Sequence, residues 1–322
     1  KQRTIAPKGN WNKLQILEGG VNMPVRIKSL LLKSIRAEVA GRMKDLIGSV
    51  KLDDRASMIK LQTNGAELAP YGRGTVFPIP DNVKFIRTAS YWENRTGGNT
   101  WFDNGWNFFD ENWKNKGTCA WNVGTYGNKS AIFSGDPTNS KEMEGKGCQM
   151  IDLYLDKLEA QGVRYAVWNI LCYSHTKFKD ATDVFAALQW GEEKAKGKLF
   201  EPSRCQLAFP LDGDSLTKYI AYIDVKERKL VYMDANLRGN VMSATTNGEL
   251  LEDIMPAFCE YLDTVPSIHD MFKGVARKNG KTNVVYDDAN VELTKDEKAY
   301  VFKPLNESNS FTQINTSELL NS

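Results

Sequence analysis

From Pro24 onward the apolar positions recur at helical spacing. Ile27, Leu31, Ile35 and Val39 step by four, and Leu30, Met43, Leu46 and Ile47 widen the stripe. The segment VRIKSLLLKSIRAEVAGRMKDLI therefore reads as an amphipathic helix opened by a proline, which suits a first turn. Its other face carries Arg26, Lys28, Lys33, Arg36, Arg42 and Lys44. The expectation is that this stripe packs on its own domain, with a membrane surface as the alternative. Residues 1–23, polar and broken by Pro7, Gly9, Gly19 and Gly20, read as an extended arm.

From Met58 the period shortens. Runs rich in β-branched and aromatic residues predict strands over Met58–Gln62, Gly74–Ile79, Val83–Trp92, Trp106–Asp110, Gly117–Val123 and Lys129–Ser134. Further strands are expected over Gln149–Leu155, Val163–Ser174, Arg204–Pro210, Lys218–Asp224 and Lys229–Asp234, the last two joined by a tight turn. Val163–Tyr173 hardly alternates, so it is expected to be a central strand covered on both faces, with Trp168 in a packed layer. One helix is expected inside the series, Asp180–Lys194, with Val184, Phe185, Leu188 and Trp190 facing the sheet.

After Leu237 the pattern turns helical again. Asn247 caps GELLEDIMPAFCEYLDTV, in which Pro256 kinks or ends the first half. Ser267 caps IHDMFKGVARKNG, and short strands Thr282–Tyr286 and Ala299–Phe302 precede a polar tail. The fold class is α+β: an N-terminal arm and helix (1–57), a mainly antiparallel β-sandwich (58–238), and a small helical and α/β segment (239–322).

Composition narrows the function. With 42 basic and 40 acidic side chains in 322 residues, the chain lacks the lopsided charge of a nucleic-acid binder. Five scattered cysteines without a CxxC pair, and only two histidines, argue against zinc and for a reducing, cytoplasmic setting. No run of 18 apolar residues occurs, so a membrane is not expected as a partner. The first residue is not Met, which reads as the mark of a fragment or a processed product.

Two stretches carry candidate chemistry. Between the apolar runs at Ala131–Phe133 and Val163–Tyr173 lies a loop offering Ser134, Asp136, Thr138, Asn139, Ser140, Glu142 and Glu144. Hard cations such as Ca²⁺ need many oxygens converging at once, and such loops supply them. In NTWFDNGWNFFDE, Asp103 precedes a strand-like run and Asp110 follows it. Should that strand run beside Lys129–Ser134, one of its ends would meet Asp136 in a cation cup. Ser174 and His175 are adjacent, but adjacency does not make a nucleophile and base converge. His269, in a helical first turn, is expected at the surface or in a capping role.

The runs WENRTGGNTWFDNGWNFFDENWKNKGTCAW, AIFSGDPTN and EGKGCQMIDLYLDKLEAQGVRYAVWNILCYSHTKF resemble the TerD (tellurium-resistance, stress-protein) domain. LFEPSRCQLAFPL, YIAYIDVKERKLVYMD and the C-terminal SIHDMFKGVARKNGKTNVVYDDAN are similar to pieces of its longer bacterial members. The resemblance implies a β-sandwich that binds Ca²⁺ through acidic loops and has no enzymatic chemistry of its own. Asp103, Asp110 and Asp136 match its acidic positions, and Gly135 its turn glycine. Trp101 stands where the family has an Asp, and Phe133 where it has a His, so any Ca²⁺ site is expected to be weak. The reading is a non-enzymatic stress-response module that holds protein partners. The alternative is a metal-free structural component of a large assembly.

Overall fold

In the computed structural model the described residues are 3–5, 15–17, 24–42, 50–52, 54–61, 71–93, 100–135, 146–191, 205–236, 242–279, 284–286 and 298–300. In chain order they form β1 (Arg3–Ile5), β2 (Gln15–Leu17), α1 (Val25–Arg42), β3 (Val50–Leu52), β4 (Val76–Pro78), β5 (Phe85–Glu93) and β6 (Phe102–Phe109). Then come β7 (Asn115–Cys119), β8 (Thr125–Tyr126), β9 (Ala131–Phe133), β10 (Lys146–Leu153), α2 (Leu155–Ala160) and β11 (Tyr165–Cys172). The remainder is β12 (Asp183–Gly191), β13 (Leu207–Pro210), β14 (Thr217–Asp224), β15 (Lys229–Ala235), α3 (Gly248–Thr264), α4 (Ile268–Asn279), β16 (Val284–Tyr286) and β17 (Lys298–Tyr300).

Two antiparallel sheets face each other. The first has the order β13-β12-β5-β10-β9-β8 and the second β4-β15-β14-β11-β6-β7. The alternation of side chains along each strand decides which residues fill the space between them. Strand β5 sends Ile86 and Trp92 inward, β12 sends Val184, Ala186 and Leu188, and β11 sends Ala166, Trp168 and Ile170. Trp92, Trp106, Trp168, Phe102, Phe108 and Phe209 are all at most about one per cent exposed, so large rings dominate this core.

The opposite face of the second sheet is covered by α3. Leu251, Met255, Phe258 and Leu262 pack there on Phe109, Val167, Tyr219 and Met233. That third layer explains why β11, β14 and β15 lack polar alternation: helix covers one face and the other sheet covers the other. Helix α3 therefore packs directly on the sandwich. Pro256 neither ends nor splits α3, which runs unbroken from Gly248 to Thr264. Ser267 does cap α4: its Oγ accepts from Asp270 N at 3.3 Å, while Asp270 Oδ2 accepts from Ser267 N at 3.0 Å.

Four expectations need correction. Asp180–Lys194 is no helix: its core, β12, is a strand paired with β5 and β13. Val184, Ala186, Leu188 and Trp190 alternate with period two, and the slot between two strands requires extended backbone. Of the expected strand Met58–Gln62, Gln62 lies outside the described residues and the rest is not a strand; Asp54–Met58 is a 3₁₀ turn and Lys60 makes an isolated bridge to Ser267. Strand β6 begins at Phe102, well before Trp106, and lies in the other sheet from β9. Finally, α1 runs beside α4, yet every residue from Pro24 to Ile35 is exposed, so the Ile27, Leu30, Leu31 and Ile35 part of its stripe is not packed on the body; Val39 is half-buried, and Met43, Leu46 and Ile47 lie outside the described residues. Among the described residues no helix is long and apolar enough to cross a membrane.

Candidate functional site

The sequence candidates surround β6, whose eight residues are all buried. Strand β7 pairs with β6 only between Trp106 and Phe109, which leaves the Phe102–Gly105 edge without a neighbouring strand on that side among the described residues. Unpaired buried backbone groups are costly. Gln149, reaching across from β10 in the opposite sheet, takes the place of the missing strand. Its Oε1 accepts from Asn104 N at 2.9 Å, and its Nε2 donates to Asp103 Oδ1 at 2.7 Å.

Asn104 extends the clamp into the sandwich. Its Nδ2 donates to the carbonyl oxygens of Thr88 and Gln149 at 3.0 and 3.3 Å. Its Oδ1 accepts from Trp168 Nε1 at 2.7 Å. Trp106 Nε1 donates to Thr88 Oγ1 at 2.8 Å, and the two indoles stack with centroids 5.7 Å apart. On the outer side of the same strands, Asn107 Nδ2 donates to the carbonyl of Ala244, and Asn169 Nδ2 to Asn107 Oδ1. Gly105 is required here, because a Cβ would stand 2.6 Å from that of Ala244.

The three carboxylates meet different fates. Asp103 is buried at 5 % exposure and is held by Gln149. Asp110 terminates the far end of β6: its Oδ1 accepts from Asn112 N at 2.8 Å and Lys114 N at 2.9 Å. It thereby shapes the hairpin turn in which Trp113 takes a φ of 61°. Seven residue steps of extended chain separate Asp103 from Asp110, about 23 Å at strand rise, so one ion with ligands at about 2.3–2.6 Å cannot bind both. Asp136 lies outside the described residues. The strand leading to it ends beside the clamp, where Ser134 N donates to the carbonyl of Met150 at 2.9 Å and Met150 N to Ser134 Oγ at 3.1 Å. Asp103 thus occupies the end of the sandwich from which the Asp136 loop departs, and Asp110 the opposite end. Among the described residues no group of three or more His, Cys, Asp or Glu is arranged to hold a metal.

Ser174 is a pin: its Oγ accepts from Trp101 N at 3.1 Å and lies 3.3 Å from Cys172 Sγ. His175 sits in the following turn with a φ of 57°, exposed to solvent. His269 proves buried, at 8 % exposure, in the first turn of α4.

Two buried ionic groups escaped the sequence reading. Asp152 accepts two hydrogen bonds from Arg87, at 2.7 and 2.9 Å, across paired positions of β10 and β5. That hydrogen bonding outweighs desolvation and raises the guanidinium above its ordinary value. Asp234, with a φ of 41° beside an irregularity of the β14–β15 register, accepts from Lys218 Nζ at 2.6 Å. Arg73 Nε donates to its carbonyl at 3.0 Å. Both groups cross-link elements that are distant in sequence, and no spacing rule could have joined them.

No protein-family model matches the chain, and no curated protein matches it.

Proposed function

We propose that this chain is a non-enzymatic interaction module of TerD-like character, which holds protein partners through α1. The observation that carries the reading is the surface of that helix. Val25, Ile27, Leu30, Leu31, Leu32 and Ile35 are 41–81 % exposed, while among the described residues the only other large exposed apolar side chains are Trp121, Tyr173 and Met242. Arg26, Lys28 and Lys33 are exposed beside them.

The polar groups of the sandwich support the same reading. Asn104, Gln149, Thr88, Trp106 and Trp168 satisfy one another, and Ser174 is engaged by Trp101, so these groups act as structural hydrogen-bond partners. All five cysteines are free thiols, in keeping with a reducing, cytoplasmic setting. Calcium enters this reading only at the Asp103 end. The separation of Asp103 from Asp110 favours the second reading, a metal-free structural component of a larger assembly.

Binding of an environment-sensitive dye such as anilinonaphthalene sulfonate tests the module reading. The folded protein should brighten the dye, and the variant Leu30→Gln/Leu31→Gln/Ile35→Gln should lose most of that signal. A folded parent that leaves the dye dark, or a variant as bright as the parent, would remove α1 as the interaction surface.

A further inference from the structure

Among the described residues the large exposed apolar side chains fall into two groups, one on α1 and one at Trp121, Tyr173 and Met242. The second group is a single patch. The Trp121 and Tyr173 rings lie 6.3 Å apart, and Trp121 Nε1 donates to the carbonyl of Met242 at 3.2 Å. Met242 leads through the Ala244–Asn247 turn directly into α3.

The two surfaces carry opposite charge. Helix α1 has five basic residues and one acidic. Helix α3 has five acidic residues and no basic one. Lys114 engages Glu252, but Glu249, Asp253, Glu260 and Asp263 are exposed and fall on one face of α3. Beside that acidic ridge, Leu250 and Tyr261 form a half-buried apolar row. On α1 the exposed Arg26 and Lys33 form a basic row next to Leu30. Arg26 and Lys33 are seven residues apart, as are Asp253 and Glu260, a repeat of about 10 Å along each helix. Two helices lying side by side therefore bring both ion pairs into register.

We propose that the chain assembles with itself head to tail, α1 of one copy docking along the acidic ridge of α3 and the adjoining Trp121–Tyr173–Met242 patch of the next. The occupant is a second copy because donor and acceptor surfaces are both present on one chain and complement each other in charge and in the spacing of their ion pairs. The contact joins two different surfaces, so it closes into a ring of two or more copies or propagates into a filament. Like-charged α1 helices repel, which disfavours pairing α1 with α1. Head-to-tail assembly deepens the interaction-module reading by naming its partner, and it rests on that reading.

Sedimentation velocity at low and at high salt tests it. The parent should form dimers or larger species that dissociate as salt rises. Arg26→Glu/Lys33→Glu and Asp253→Lys/Glu260→Lys should each be monomeric, with far-UV circular dichroism unchanged because all four positions are exposed. Mixing the two monomeric variants should restore assembly, since each then offers the other a complementary pair of surfaces. A parent that stays monomeric, variants that assemble like the parent, or a mixture that stays monomeric would overturn the proposal. Co-sedimentation of the parent with phosphatidylserine vesicles in place of self-association would overturn it too, assigning α1 to a lipid surface. A monomeric parent that still brightens the dye through α1 would sink head-to-tail assembly and leave the module reading standing.

Discussion

The indole of Trp168 donates its N–H to Asn104 Oδ1 at 2.7 Å, and both residues are fully buried on adjacent strands of the second sheet. Asn104 in turn donates to the Thr88 and Gln149 carbonyls of the first sheet, so one side chain ties the two layers together. Asn104→Ala removes the acceptor and opens a cavity. It is expected to cost about 2–4 kcal/mol, the sum of an orphaned indole N–H and lost packing. A loss below about 0.5 kcal/mol in urea denaturation would mean the clamp is not structural.

Ile170 is fully buried on β11, between the first sheet and the centre of the second. Ile170→Ala should destabilise by about 2–5 kcal/mol, as deep aliphatic truncations do. A change within about 0.5 kcal/mol would place β11 at the periphery.

Calcium binding divides the three carboxylates by position. Calorimetric titration should give, at most, weak binding on the order of 10⁻⁴ M, diminished by Asp103→Asn and by Asp136→Ala. Asp110→Ala should leave that heat unchanged and instead weaken the β6–β7 hairpin, whose turn Asp110 shapes through two backbone hydrogen bonds. A site that vanishes only with Asp110→Ala would reverse this assignment.

Burial pushes the thiols of Cys119, Cys148 and Cys259 up to about 12 from an ordinary value of 9.0. The folded state thus favours the neutral thiol. The stability this contributes is complete below pH 9 and is lost as pH rises towards 12. Alkylation by iodoacetamide at pH 8 should therefore be slow at all three until the protein unfolds. Rapid labelling of the folded protein at Cys119 would contradict its burial.

Much of the sandwich is legible in the sequence, and what escapes has physical reasons. Val163–Ser174 announces β11 because burial on both faces removes alternation, and the Val225–Arg228 turn between β14 and β15 is equally plain. Strand β12 hides because Val184, Phe185 and Leu188 also fit a helical face. Only the vacant slot between β5 and β13 selects the extended form. The first half of β6 hides because Asp103, Asn104 and Gly105 look like a loop. Their polar groups are consumed by Gln149, Thr88 and Trp168, all far away in sequence. The same blindness explains the cation cup: three acidic positions were visible, but not the eight-residue strand that holds two of them apart. The exposure of α1 was illegible too, since an apolar stripe signals burial without saying in what.

The account turns on α1 being a surface for a partner and not part of the protein's own core. Equilibrium urea denaturation of Leu30→Gln/Leu31→Gln/Ile35→Gln beside the parent, at a concentration dilute enough to suppress assembly, tests this most directly. These side chains are 56 %, 47 % and 58 % exposed. The account predicts a stability within about 0.5 kcal/mol per substitution of the parent and an unchanged denaturant slope. A loss of several kcal/mol, on the scale of about 2–5 for each buried aliphatic side chain removed, would show that α1 packs on its own body and would contradict it.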